Sequence, residues 1–188
     1  MSNRVFLAGA GGVIGRRLLP LLRRLGFDVV GTTRSSERAQ EIERLGGRAV
    51  IVDAYDRDAL VAAAQSAGAR RLIAQSIAWV YQPGSEPHSD NDPIDPNAHG
   101  VADLEQAVLG ARDIEGIVLR YGWFYGPGAN AEPAGRPGVH IDAAAYATVL
   151  AIDRGSPGTY NIAEPRPTLS IAKATRELGW DHGFRAEA

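Results

Sequence analysis

The chain has 188 residues, 45% of them apolar and 22% charged, a mix that suits one globular domain and rules out a disordered one. Its net charge of −2 gives no basis for nucleic acid or an anionic membrane surface as the main partner. Cysteine is absent, which excludes disulfides, thiolate metal sites and cysteine nucleophiles, and Lys173 is the only lysine, so the phosphate loop GxxxxGK[ST] is impossible.

Val5 to Ala8 reads as a short buried parallel strand, closed by Gly9-Ala10-Gly11-Gly12. This opening run is too short and too soon interrupted by glycine for a signal or membrane helix, so a soluble, cytoplasmic protein is expected. From Val13 to Leu25, Ile14, Leu18, Leu21, Leu22 and Leu25 form a helical stripe, and Arg16, Arg17, Arg23 and Arg24 take the solvated face. Pro20 should cost this helix a hydrogen bond or kink it, and Gly26 should stop it.

Phe27 to Gly31 reads as strand two, and Glu37 to Leu45 as a helix capped by Ser35 or Ser36 and stopped by Gly46-Gly47. Ala49 to Val52 is strand three, residues 57 to 66 a helix, and Arg71 to Ser76 strand four. Four prolines mark 82 to 100 as a long loop, and Val101 to Leu109 follows as a helix. Gly116 to Arg120 is strand five, and residues 126 to 138 are rich in glycine and proline. Ile141 to Ile152 is an alanine-rich helix, Thr159 to Ile162 a short strand, and Ile171 to Leu178 a last helix. Alternating strands and helices predict an α/β fold, a Rossmann-like doubly wound parallel sheet.

Gly9-Ala10-Gly11-Gly12-Val13-Ile14-Gly15 is a G-x-x-G-x-x-G motif between a strand and a helix. Gly9 permits a tight turn, Gly12 lets the backbone approach a pyrophosphate, and Gly15 allows close packing of the helix. The helix N-terminus then offers free N–H groups and the positive end of its dipole to phosphates. After strand two, where an NAD site usually carries an acidic residue for the ribose, stand Thr32-Thr33-Arg34, with Arg38 one turn later. An arginine there suits a 2′-phosphate, so NADP is favoured over NAD. Asp53 ends strand three beside Ala54, where it would accept from the adenine amino group, cap the next helix, or do both.

Several segments together resemble the extended short-chain dehydrogenases/reductases, the NAD-dependent epimerase/dehydratase family. Val5 to Gly15 is similar to the family's cofactor loop, and Gln75 to Tyr81 to its S-S-x-x-x-V-Y segment. Leu119 to Gly128 resembles its L-R-x-x-x-x-Y-G-P segment, and His140-Ile141-Asp142 its H-V-D-D-A-A element. Tyr160 to Ile162 and Ala172 to Trp180 resemble its C-terminal segments. The resemblance implies a nicotinamide cofactor, with Gln75 and Ser76 beside it, and an oxidoreductase or epimerase-like reaction on a small carbonyl or sugar-like substrate.

The family's catalytic pair is Tyr-x-x-x-Lys, in which the lysine lowers the tyrosine pKa. No tyrosine here has a lysine four residues on. Aligning Glu105 with the family's helix glutamate puts Asn97 and Val101 at the pair, whereas aligning His99-Gly100 with its Tyr-Gly puts His99 and Asp103 there. Ile77 takes the usual serine position. The chain also looks shortened after Asp53, near 97 to 100, and between 130 and 171.

The resulting expectations are specific. Residues 1–125 form a NAD(P)-binding domain and 126–188 a small, reduced C-terminal substrate-side region packed on it. Cofactor contacts fall on Gly9, Gly11, Gly12, Val13, Ile14, Gly15, Thr33, Arg34, Asp53, Ala54, Gln75 and Ser76. Ser76, Tyr81, Tyr121 and His99 are the candidate catalytic donors. Tyr121, Trp123, Phe124 and Tyr125 line a pocket or fill core. No metal is expected, because His88, His99, His140 and His182 lack ligand spacing. The partners expected are a small-molecule substrate and, as in this family, a second copy in a homodimer; nucleic acid and membrane are not. The missing pair supports a rival reading, a non-catalytic NADP-binding regulator or interaction protein.

Overall fold

The computed structural model describes residues 4–51, 69–112, 114–131, 133 and 135–186. The chain divides into two compact units, Met1–Ala69 and Arg70–Ala188.

In the first unit β1 (Arg4–Leu7), α1 (Val13–Arg24), β2 (Asp28–Thr33), α2 (Ser36–Arg44) and β3 (Arg48–Ile51) alternate along the chain. β2 lies in the middle and pairs in parallel with β1 and with β3. Val29 and Val30 on β2, Leu18, Leu19 and Leu22 on α1, and Ile42 on α2 are buried. The apolar stripe read from the sequence is thus the face that leaves water. α1 runs unbroken through Pro20. Proline has no N–H, so it offers nothing to the Arg16 carbonyl one turn back, and packing of the leucine face holds the helix. Both helices end as expected, at Gly26 and Gly46, where paired backbone bonds run back to Leu22 and Arg23 and to Ile42 and Glu43. Ser35, not Ser36, caps α2, with its hydroxyl accepting from the Arg38 N–H at 3.4 Å. Strand two runs two residues further than expected, to Thr33. Val52, Asp53, Ala54 and the helix expected at 57 to 66 lie outside the described residues.

The second unit holds β4 (Arg71–Ile77), α3 (His99–Leu109), β5 (Glu115–Tyr121), β6 (Trp123–Tyr125), β7 (Gly138–His140), α4 (Ile141–Asp153) and β8 (Gly158–Ile162). β5 is central in a parallel sheet of order β4-β5-β8, and β6 pairs in parallel with β7. Ile117, Val118 and Leu119 of β5 are fully buried. So are Ala143, Ala144, Ala145, Ala147 and Ala151 of α4, whose small side chains let that helix approach its neighbours closely. Trp180 is buried, and its indole N–H donates to the Ala143 carbonyl at 2.9 Å.

β6 and β7 form beside and within the stretch read as loop, because only tertiary pairing stabilises three-residue strands. The last helix forms where it is expected, over 172–178, and is π-helical at Ala174–Leu178. The long loop is anchored at its start and in its middle: Gln82 N–H donates to the Pro93 carbonyl at 3.1 Å and His88 N–H to the Thr168 carbonyl at 3.0 Å. Parallel sheets with alternating helices place the chain in the Rossmann-like α/β class expected.

Candidate functional site

The glycine turn of the first unit is set by the end of β2. Gly9 has φ +72°, a conformation that side chains disfavour, and its N–H donates to the Thr32 hydroxyl at 3.2 Å. Ala10 N–H donates to the Thr32 carbonyl at 3.2 Å, and Gly12 N–H to the Gly9 carbonyl at 2.8 Å. A Cβ on Gly15 would stand 2.4 Å from the Ala10 carbonyl oxygen, so the glycine is needed where α1 passes over the turn. A Cβ on Gly12 would stand 3.1 Å from the Gly9 oxygen.

Gly12 also begins α1, with no side-chain cap and no acidic residue in the first turn. The first-turn N–H groups at Val13 and Ile14 have no partner inside the helix by geometry. This fits a pyrophosphate: a Cβ-free cradle, open donors and a positive dipole end coincide.

The residues after β2 flank the same turn. The Thr33 hydroxyl accepts from Ser35 N–H at 3.2 Å, which places Arg34 at the bend between β2 and the α2 cap. Arg38 lies across the turn: a Cβ on Gly11 would be 3.1 Å from its side chain. Arg16 donates to the Gly11 carbonyl at 3.2 Å and pairs with Glu41 at 3.3 Å. A groove of about 410 Å³ between α1 and α2 is lined by Arg16, Glu37, Arg38, Glu41 and Arg44. Asp53 and Ala54 lie outside the described residues.

The second unit brings two of the expected residues, Ser76 and Tyr81, into one polar network. Ser76 donates to Glu105 Oε1 at 2.6 Å. Arg120 closes on the same carboxylate twice, Nε to Oε1 at 2.9 Å and Nη2 to Oε2 at 2.6 Å. Burial pushes the Glu105 carboxyl up, but the hydrogen bonds from Arg120 and Ser76 and the Arg120 charge outweigh it and hold the group below its ordinary range. The Arg120 guanidinium lies 4.9 Å from the Tyr81 ring centroid. Tyr81 donates to Asn161 Oδ1 at 2.5 Å, Asn161 N–H donates to Asp90, and the Asn161 amide donates to the Ser170 carbonyl at 3.1 Å. Burial pushes the Tyr81 hydroxyl up, against the pull of Arg120 and Asn161.

Glu105, Arg120, Asp90 and Asn161 were absent from the residues expected at the site. The legible signal was an acidic residue inside an apolar helix face, matched by an arginine inside the most apolar strand.

Tyr121 is buried, its hydroxyl 2.6 Å from the Thr148 hydroxyl and donating to the Ala144 carbonyl at 3.2 Å, and burial raises it well above the ordinary tyrosine range. A cavity of about 150 Å³ brings Gln75 and Ser76 together with Trp79, Tyr121, Trp123 and Phe124. His99 is exposed at the start of α3, and no His99–Asp103 contact is seen among the described residues. Asn97 precedes the helix and is tied to Asp95 by its N–H at 2.8 Å and its amide at 2.9 Å. Val101 is apolar, so neither register supplies a Tyr–Lys pair. Among the described residues no group of three His, Asp or Glu could hold a metal, and no helix is long and apolar enough to cross a membrane.

A 3-diazoavenalumate denitrifying reductase from Streptomyces sp is 31% identical, the alignment covering 94% of this chain and 88% of that protein. That alignment spans 271 positions against 188 residues here, so the reductase carries internal segments without a counterpart in this chain. A dTDP-4-keto-6-deoxy-D-glucose reductase from Streptomyces niveus is also 31% identical over 67% of this chain, which spans only about half (54%) of that relative's length. The UDP-glucose 4-epimerase of Thermus thermophilus, solved in complex with NAD, shares the fold at a TM-score of 0.74 and 16% identity, over 97% of this chain and 95% of that one. Residues 5–111, from β1 through α3, match the NAD dependent epimerase/dehydratase family, and the chain belongs to it.

Proposed function

We propose that this chain is an NADP(H)-dependent oxidoreductase acting on a small carbonyl or sugar-like substrate. The observation that carries the reading is the glycine turn: positive-φ Gly9, Cβ-free Gly12 and the uncapped first turn of α1 form a diphosphate cradle. Gly11 and the N–H groups of Val13 and Ile14 complete it. Arg34 at the bend after β2, with Thr33 beside it, supplies the charge and hydroxyl suited to a 2′-phosphate, and no acidic residue stands there to grip a ribose diol. The family resemblance implies Gln75 and Ser76, at the carboxyl end of β4, as further cofactor contacts.

The bound cofactor supplies hydride chemistry. The chain's own part is to bind and place the carbonyl. Ser76 donates its hydrogen bond to Glu105, and Tyr81 donates its own to Asn161. With these hydroxyls committed, a reduced carbonyl oxygen takes its proton from water. Turnover is therefore expected to be slow and to depend on placement.

The commitment of these same hydroxyls also favours the second reading, an NADP-binding regulator without chemistry. The test is titration by calorimetry and thermal shift with NADPH, NADP, NADH and NAD, followed by NADPH oxidation across a panel of carbonyl compounds. Selective stabilisation by the phosphorylated pair is expected, with loss of that selectivity in Arg34→Ala and of all binding in Gly12→Trp. Binding without turnover would select the regulator. No binding by any of the four would overturn both readings.

A further inference from the structure

The cavity of the second unit separates substrate classes. We infer that it receives the ring of a small, uncharged aromatic carbonyl compound rather than a nucleotide-linked sugar. This inference rests on the oxidoreductase reading above and names its substrate class.

Size excludes the larger ligands. The cavity holds about 150 Å³, whereas pockets that bury a drug-sized ligand measure roughly 300–1,000 Å³. One ring with a short substituent fits, and a nucleoside diphosphate does not.

Among the described residues the lining has no charge. Gln75, Trp79, Tyr121, Trp123, Phe124 and Asn130 contribute, without an arginine, lysine, histidine or carboxylate, so no described residue in it would neutralise a phosphate. A pyranose would present hydroxyls around its whole rim, each costly to bury unpaired. The hydroxyl of Tyr121 is turned to Ala144 and Thr148, and Ser76 donates its hydrogen bond to Glu105.

The rings are set for a flat partner. Trp79 and Trp123 stand 6.1 Å apart at 46°, and Tyr121 and Phe124 5.3 Å apart at 58°. Two such corners offer faces and edges together, the arrangement that aromatic rings prefer to join. Trp79 remains 40% exposed, a large apolar surface left to water at the cavity. A polar handle is present: among the described residues the Gln75 side-chain amide makes no hydrogen bond, and its NH₂ can donate to a carbonyl oxygen.

The test compares acetophenone with cyclohexyl methyl ketone, which has the same carbonyl and carbon count without the π-system. Calorimetry on the full chain, with and without saturating NADPH, reads both. Acetophenone is expected to bind roughly threefold to tenfold more tightly, the range of one or two aromatic contacts. Trp79→Leu, at a half-exposed position, should erase that preference while melting temperature and dinucleotide titration stay unchanged. Equal affinities, no binding of either ketone, or a preference that survives Trp79→Leu would overturn the inference. Displacement of acetophenone by NADPH would also overturn it, by giving the cavity to the nicotinamide ring. Each of these results leaves the dinucleotide titration intact, whereas failure of the oxidoreductase reading shows as absent dinucleotide binding or absent turnover.

Discussion

The two units treat polar groups in opposite ways. In Met1–Ala69 the glycine turn keeps backbone donors open, and its shape is held by N–H bonds to the hydroxyl and the carbonyl of Thr32. In Arg70–Ala188 the charged and hydroxyl groups are buried and turned on one another: Ser76, Glu105, Arg120, Tyr81, Asn161 and Asp90. A site that waits for a ligand must leave donors unsatisfied, and a core that holds itself together cannot. The difference bears on the family resemblance, in which the glycine motif is present and no tyrosine has a lysine four residues on. The glycine turn depends on backbone geometry and one threonine, whereas a Tyr–Lys pair needs two side chains of one helix.

The largest break in this contrast is expected at Glu105. Glu105→Ala strands the Arg120 guanidinium without its carboxylate and should destabilise the fold by about 3–5 kcal/mol, measured by urea unfolding. Glu105→Leu combined with Arg120→Met should recover most of that loss, because no charge is then left buried.

The first unit is expected to fail at a smaller cost. Gly15→Ala forces a Cβ to 2.4 Å from the Ala10 oxygen and should cost roughly 1–3 kcal/mol, together with dinucleotide binding. Gly9→Ala meets nothing within 4 Å, so only the φ +72° conformation penalises it, by about 1–2 kcal/mol. Equal costs at the two positions would mean that the turn is held by φ and not by packing.

Acid sharpens the contrast within the second unit. Glu105 ionises more readily folded than unfolded, so the unfolded chain binds the proton more tightly. Its contribution is complete above the ordinary value of 4.5 and is lost as pH falls through the lower folded value. Asp90, pushed up by burial, has the reverse sign: its contribution weakens as pH rises from its ordinary value of 3.8. Glu105→Gln should therefore remove the stability lost in acid and leave the Asp90 slope, as read from melting temperature against pH.

The smallest effect is expected from Tyr81→Phe. It removes one hydrogen bond to Asn161 and keeps the ring beneath Arg120, so about 1 kcal/mol should be lost. A drop of NADPH oxidation far beyond what that loss explains would give the Tyr81 hydroxyl a chemical role.

Much of this was legible in the residues. The apolar runs at Val5 and Ile117, the leucine stripe of α1 and the glycines at 26 and 46 place strands, helices and stops by local periodicity and backbone preference. β6 and β7 were illegible, because strands of three residues are decided by their partners. Asp53 and Ala54 remain expectations, since they lie outside the described residues.

The sequence by itself determined the alternation of elements, the glycine cradle and the loss of the Tyr–Lys pair. Each is a matter of residue identity at local spacing. Only the tertiary structure decided that Ser76 donates its hydrogen bond to Glu105, that Tyr121 turns its hydroxyl to α4, and that two tryptophans meet at one cavity. Those outcomes depend on residues far apart in the chain, 29 positions for Ser76 and Glu105, brought together by burial. No local pattern encodes which buried partner a polar group will find.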